Sequence, residues 1–302
     1  MTLFNRLIAS SALVLTAGLL LAGPAAASQL RIGMQQEPTS LDPTADATAS
    51  IDGMLAHNVY ESLTTVNEAG EVLPNLAESW TISDDGLTYT FTLVEGATFH
   101  DGSAFDADDV KFSFDRAMAE DSTNPSKSIF KPIASVTVVD PRTVEVKLKQ
   151  KDAFLLFNLA QGDASILGPE TADGNATKPV GTGPFAFDSW TRGDRLVLKM
   201  FEDYRDADKV SIDTVEFRFI SDPAAASAAL LSEELDAFPG FPAPELLPQF
   251  EADPRFNVVI GSTEDTHMLT EYLHALGNGQ QDKQQAIRQM ARKVALPVVL
   301  TS

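Results

Sequence analysis

The chain has 302 residues, 44% of them hydrophobic and 22% charged, the composition of an ordinary globular protein long enough for two domains. Its formal charge of -21 repels phosphate backbones and anionic lipid heads, which argues against nucleic-acid and membrane-surface roles. Cysteine is absent, so no disulfide is available and stability must come from core burial.

The first segment carries Arg6 as its only charge, an apolar run from Leu7 to Ala22, then Gly23, Pro24 and Ala25-Ala26-Ala27. This is the pattern of a secretory signal peptide over residues 1–27, cut after Ala27; the apolar run falls short of the roughly 20 residues a membrane span needs. No cysteine follows the cut to carry a lipid. The mature chain from Ser28 is therefore expected to be free in a periplasm.

Leu30–Met34 has strand character and runs into Gln35-Gln36-Glu37-Pro38-Thr39-Ser40-Leu41-Asp42-Pro43, where two prolines break regular structure and leave a polar loop. A helix is expected near Ile51–Leu63. Asp84-Asp85-Gly86 turns Trp80–Ser83 into Leu87–Val94, with Leu87, Tyr89, Phe91 and Leu93 on one face and Thr88, Thr90 and Thr92 on the other. Asp140-Pro141-Arg142 joins Val136–Val139 to Val144–Leu148, and Arg192-Gly193-Asp194 joins Phe185–Trp190 to Leu196–Met200. Val215–Ile220 is a further strand, followed by a helix from Asp222-Pro223 to about Leu231, with proline in the first turn where no amide is missed. Successive hairpins point to a mixed α+β fold rather than a wound parallel sheet.

Phe99–Met118 holds His100 and Asp101, Asp106, Asp108, Asp109 and Asp115, a concentration that could signal a metal or acid/base site. The spacing favours scaffolding. Asp101-Gly102 suits a turn, Asp106 an N-cap, Asp108 and Asp109 the first turn of a helix, where the dipole favours negative charge, and Lys111 and Asp115 pair four apart. A calcium loop would need a bidentate Glu in register, and zinc would need clustered His or Cys; His57, His100, His267 and His274 are scattered and no HExxH occurs. There is no G-x-S-x-G and no Walker-type loop, and Gly181-Thr182-Gly183-Pro184 is too short to cradle phosphate. No catalytic residue, metal or cofactor is assigned, and the chain is read as a non-enzyme. Trp80 and Trp190 lie in strand patterns, which favours packing over ligand stacking.

Taken in order, Glu37-Pro38 with Leu41-Asp42-Pro43, Leu73–Trp80, Asp84–Phe91, Leu93-x-Glu95-Gly96, Phe99–Gly102, Ala107–Ser113, Gly181-Thr182-Gly183-Pro184-Phe185 and a helix over Ala224–Phe238 resemble the family 5 extracellular solute-binding proteins, periplasmic receptors of peptide, nickel and related ABC importers. The resemblance covers about residues 29 to 265. It implies a periplasmic-binding-protein-like type II lobe (domain I, 28–70 and 185–265) with an inserted small α+β domain II (71–184). The opposing lobe, domain III, would be largely missing. The Gln-rich tail 266–302 diverges, and the chain is expected to be truncated or shifted in frame near residue 266.

On this resemblance the chain captures a peptide or related small solute, as a monomer, and delivers it by domain closure to an inner-membrane ABC permease. The ligand-binding residues would be Gln35, Gln36, Glu37 and Thr39, with Met34 as apolar lining, and Glu37 could pair with a ligand amine. With one cleft wall, weak or no binding and an exposed sheet edge are expected. A periplasmic sensory or structural domain is the alternative, and a secreted hydrolase lacks its nucleophile constellation. Glu233 stands where the family often has glycine; in a left-handed backbone it would cost on the order of 1–2 kcal/mol.

Overall fold

The computed structural model describes residues 28–67, 69–259 and 299–301, the last as backbone only. The expected signal peptide and His267 and His274 lie outside the described residues, as does most of the 266–302 tail. Eighteen elements follow in chain order. They are β1 (Gln29–Met34), α1 (Ala49–Leu55), β2 (Thr64–Val66), β3 (Val72–Pro74), β4 (Ala77–Ile82), β5 (Thr88–Leu93), α2 (Ala107–Met118), β6 (Ile133–Asp140), β7 (Thr143–Leu148), α3 (Leu155–Asn158), β8 (Phe185–Thr191), β9 (Arg195–Met200), β10 (Thr214–Phe219), α4 (Pro223–Leu231), β11 (Ala237–Pro239), α5 (Leu247–Glu251), β12 (Asn257–Val259) and β13 (Val299–Thr301).

Two sheets carry the architecture. A seven-stranded sheet has the order β12-β13-β11-β1-β10-β9-β8, and a four-stranded sheet the order β4-β5-β7-β6; β2 and β3 form a separate ribbon. All three expected hairpins form as antiparallel pairs. At the first, Gly86 (φ 68°) gives the turn its left-handed residue, and Tyr89, Phe91 and Leu93 are buried while the intervening threonines are half-buried. The hairpins do not account for the whole of the larger sheet. β1 lies between β10 and β11 and is parallel to both, so that sheet is mixed.

The sheets have separate cores. Leu30, Ile32, Ile51, Tyr60, Phe185, Leu198 and Phe217 centre the first, and Phe91, Phe99, Val110, Phe114, Phe130, Val144 and Val146 the second. A third cluster stacks Phe238, Phe241, Phe250 and Phe256 edge to face, with ring centres 5.0–5.7 Å apart.

Two helix expectations need correction. The helix expected over 51–63 occupies Ala49–Leu55, because Ala56 is extended and His57 has φ 59°. The carbonyls that would continue it are used elsewhere: Val59 O accepts from Gly183 N and Asn58 O from Phe185 N, each at 2.9 Å. The helix matched over Ala224–Phe238 ends at Leu231, and Phe238 lies in β11. Glu233, at φ 60°, terminates it: Glu233 N donates to Leu230 O (3.0 Å) and Glu234 N to Ala229 O (2.9 Å), the Schellman pattern with a left-handed residue at its turn.

Candidate functional site

The polar loop leaves the sheet at Met34, whose carbonyl accepts from Ile220 N (2.8 Å) and whose side chain packs half-buried against the first core. Gln35 and Gln36 are exposed, and neither amide forms a hydrogen bond among the described residues. Glu37 is engaged: its Oε1 accepts from Trp190 Nε1 and its Oε2 from Gly193 N, both at 3.0 Å, with Arg192 Nη1 3.9 Å from Oε1. The Thr39 hydroxyl donates to Asp46 Oδ2 (2.6 Å) and lies 2.9 Å from Thr48 Oγ1; hydrogen bonds from Thr39 and Thr48 hold the Asp46 pKa below its ordinary value. The five candidate residues thus form one continuous edge at the end of β1. Gln35 and Gln36 are its two unengaged polar side chains.

Beyond Thr39, buried Asp42 ties the loop to the second core. Its Oδ1 accepts from Thr44 N and Thr44 Oγ1 (2.8 and 2.6 Å), and Arg116 of α2 donates to Thr44 Oγ1 (2.6 Å) and Asp42 Oδ2 (3.4 Å).

Asp106 caps α2 by accepting from Asp108 N (2.8 Å), and Asp109 Oδ2 accepts in return from Asp106 N (2.8 Å), completing a capping box. Burial, against the Asp106 hydrogen bond and with help from the nearby carboxylates, pushes the Asp109 pKa up to about 6. Lys111 pairs with Asp115, and Asp101 closes a turn by accepting from Ser103 N and Oγ.

His100 does more than mark that turn. Gly181 N donates to its Nδ1 (3.3 Å), so the proton sits on Nε2, which donates to Gly183 O (2.9 Å). Burial pushes its pKa down to about 4, keeping the imidazole neutral. The ring also meets Phe201 edge-on at 4.9 Å. His57, itself buried, lies 3.1 Å from Ala160 O through Nε2. Among the described residues, no three His, Cys, Asp or Glu side chains converge as metal ligands.

A polar constellation absent from the sequence reading lies between the cores. Glu61, 3% exposed, receives both Arg205 Nη1 and Nη2 at 2.6 Å, Thr182 Oγ1 at 2.9 Å and Tyr204 OH at 3.4 Å; Arg205 Nη2 also reaches Asn75 Oδ1 (3.0 Å). Burial pulls the Arg205 pKa down, but the charge and hydrogen bonds of Glu61 more than offset it. Its partners come from segments over a hundred residues apart, so no local pattern announces it. Trp190 likewise packs on the first core as expected, while the hydrogen bond from its indole to Glu37 was not foreseen. Trp80 packs on the second core.

This arrangement, two sheets with a polar edge at the end of β1, is matched by known proteins. The model of the bacterial extracellular solute-binding proteins, family 5 Middle, matches residues 71–287, continuing past residue 265 where the recognisable motifs stop. The chain belongs to this family. A family 5 relative, the glutathione-binding protein GsiB of Salmonella paratyphi A, is 34% identical over 219 residues, 71% of this chain and 43% of the relative. Among solved structures, the binding protein AgaA of A. tumefaciens R10 in complex with agropinic acid aligns with TM-score 0.72 and 28% identity, covering 76% of this chain and 47% of that one. NikZ of Campylobacter jejuni in complex with Ni(L-His) aligns with TM-score 0.69 and 27% identity, covering 82% and 52%. The fold is therefore the mixed α+β, type II periplasmic-binding-protein lobe, and the chain spans about half the length of the relatives it matches. Among the described residues, no helix is long and apolar enough to cross a membrane.

Proposed function

We propose that this family 5 chain is the periplasmic substrate-binding component of an ABC importer for peptides or related small solutes. It would be exported by cleavage after Ala27, act as a monomer, and dock on an inner-membrane permease. In this reading Met34, Gln35, Gln36, Glu37 and Thr39 form one wall of the ligand cleft, residues 28–70 and 185–265 form domain I, 71–184 form domain II, and 266–302 are the tail. The observation that carries the reading is the edge at the end of β1: a rigidly held loop that keeps two glutamine amides exposed. The separate cores of the two sheets support the domain division, with Leu167 and Ala172 packing on the first core and Leu63 on the second where the segments meet.

No bond is made or broken. Ligand favours the closed arrangement by binding it better than the open one, and the closed form is what the permease recognises. Binding to the native state raises stability by mass action. Thermal denaturation with millimolar glutathione, agropinic acid or nickel–histidine is the test. A shift with at least one of them is expected, and no shift with any, together with unchanged tryptophan fluorescence, would overturn the proposal.

A further inference from the structure

The tip of the β8–β9 hairpin closes on the loop through three consecutive loop residues. Trp190 Nε1 and Gly193 N occupy the two carboxylate oxygens of Glu37 (3.0 Å each), and Arg192 donates from Nη1 to Pro38 O (3.2 Å) and from Nη2 to Thr39 O (3.3 Å). The guanidinium carbon lies 3.3 Å from the centre of the Trp190 ring, so the indole both donates to Glu37 and supports the cation that binds the next two carbonyls. Gly193, at φ 74°, gives the turn the shape that aims its amide at the carboxylate. The turn is fixed in its own right, since Asp194 O accepts from Phe219 N (2.9 Å) on β10, next to the Ile220 amide that holds Met34.

We infer that Trp190, Arg192 and Gly193 are positioning residues of the ligand loop, and that Glu37 is their latch rather than a ligand contact. This rests on the proposed function above and narrows the ligand chemistry. The charge of Glu37 faces that of Arg192, so the latch itself presents no net negative charge to a ligand; the other carboxylate beside it, Asp46, is occupied by the Thr39 and Thr48 hydroxyls. What remains for a ligand is the pair of amides on Gln35 and Gln36, which both donate and accept. The ligand group that meets this loop is a carboxylate or a peptide amide. An ammonium group would find no uncompensated anion at Glu37.

Two variants of the full chain test this: Trp190→Phe, which keeps a ring under Arg192 but removes the indole donor, and Glu37→Gln, which removes the charge. Hydrogen exchange is read at the amide of Gly193, which donates to Glu37, and at those of Ile220 and Leu41, which hold the two ends of the loop, with the buried amides of β5 as the folding control, and affinity is measured for glutathione and for N-acetylated glutathione. Loss of one charge-assisted hydrogen bond should speed loop exchange about tenfold or more while the β5 amides stay unchanged. Glu37→Gln should weaken both probes by the same factor. Unchanged loop exchange in both variants overturns the latch, and a loss for glutathione at least tenfold greater than for its N-acetyl form makes Glu37 an amine contact instead. If the unmodified chain binds neither probe, the peptide-binding proposal fails while the exchange result still decides the latch.

Discussion

Replacing Glu61 by Gln should be among the most destabilising isosteric changes in the protein. The carboxylate is 3% exposed and takes two hydrogen bonds of 2.6 Å from Arg205, whose side chain is 16% exposed. Gln fills the same volume, so no cavity is opened. It supplies one oxygen acceptor where two charged ones stood and turns an amide N–H2 toward a guanidinium that has only donors. Breaking one side of a buried ion pair costs about 3–5 kcal/mol, because the remaining charge stays uncompensated. Removing the charge from both sides, as Glu61→Leu with Arg205→Met, should recover much of that loss. It would still strand the Thr182 hydroxyl and the Asn75 amide, at about 1 kcal/mol each. Urea unfolding at neutral pH, with the slope m checked for constancy, measures Glu61→Gln, the singles Glu61→Leu and Arg205→Met, and their double, and the last three yield the coupling between the two sites. A loss below about 1 kcal/mol for Glu61→Gln, or a double variant as unstable as the summed singles, would show that solvent screens this pair and that the reasoning is wrong.

Glu233→Gly should stabilise the protein by about 0.5–1 kcal/mol. Relief of the left-handed strain at φ 60° outweighs an exposed pair with Arg255 at 3.3 Å, and a lower melting temperature would contradict this. His100, with its pKa pushed down to about 4 from an ordinary 6.5, contributes stability that is complete above pH 6.5 and is lost as pH falls toward 4, by about 3 kcal/mol at most. Asp109 runs the other way, gaining stability as pH falls through about 6 toward 3.8, so the two nearly cancel in the native protein. The dependence should therefore emerge in Asp109→Asn, whose stability drops steeply from pH 6.5 to 4; a flat profile for that variant, measured by urea titration at each pH, would remove His100 as its source.

Hairpins and caps were legible because their determinants are local. Asp84-Asp85-Gly86 lies between segments with period-two burial, and Asp106 stands three residues before Asp109, so turn and capping box follow from spacing alone. The parallel pairing of β1 with β10 joins residues 185 apart, Gln29 with Thr214, and no periodicity in either strand specifies it. The candidate loop was legible in place but not in electrostatics. Its prolines marked an irregular polar segment, yet Glu37 reads as a free acid until the β8–β9 turn, more than 150 residues later, is folded onto it.

Gly181-Thr182-Gly183-Pro184 shows why such motifs resist reading from composition. As a phosphate cradle it is too short, and its glycines do not need positive φ. Their requirement is close approach: a Cβ on Gly181 would sit 2.0 Å from Val59 O, and one on Gly183 2.5 Å from Asn58 O. That approach lets Gly183 N and Phe185 N take the carbonyls that would have extended α1, and it brings Thr182 to Glu61 and the Gly183 carbonyl to His100. The early end of α1 therefore depends on two absent side chains, and the same approach sets Thr182 against the buried ion pair and a carbonyl against the neutral imidazole. A motif whose role is to let two backbones touch carries its meaning in the partner segment, here residues 58–61, and becomes legible only when both are seen together.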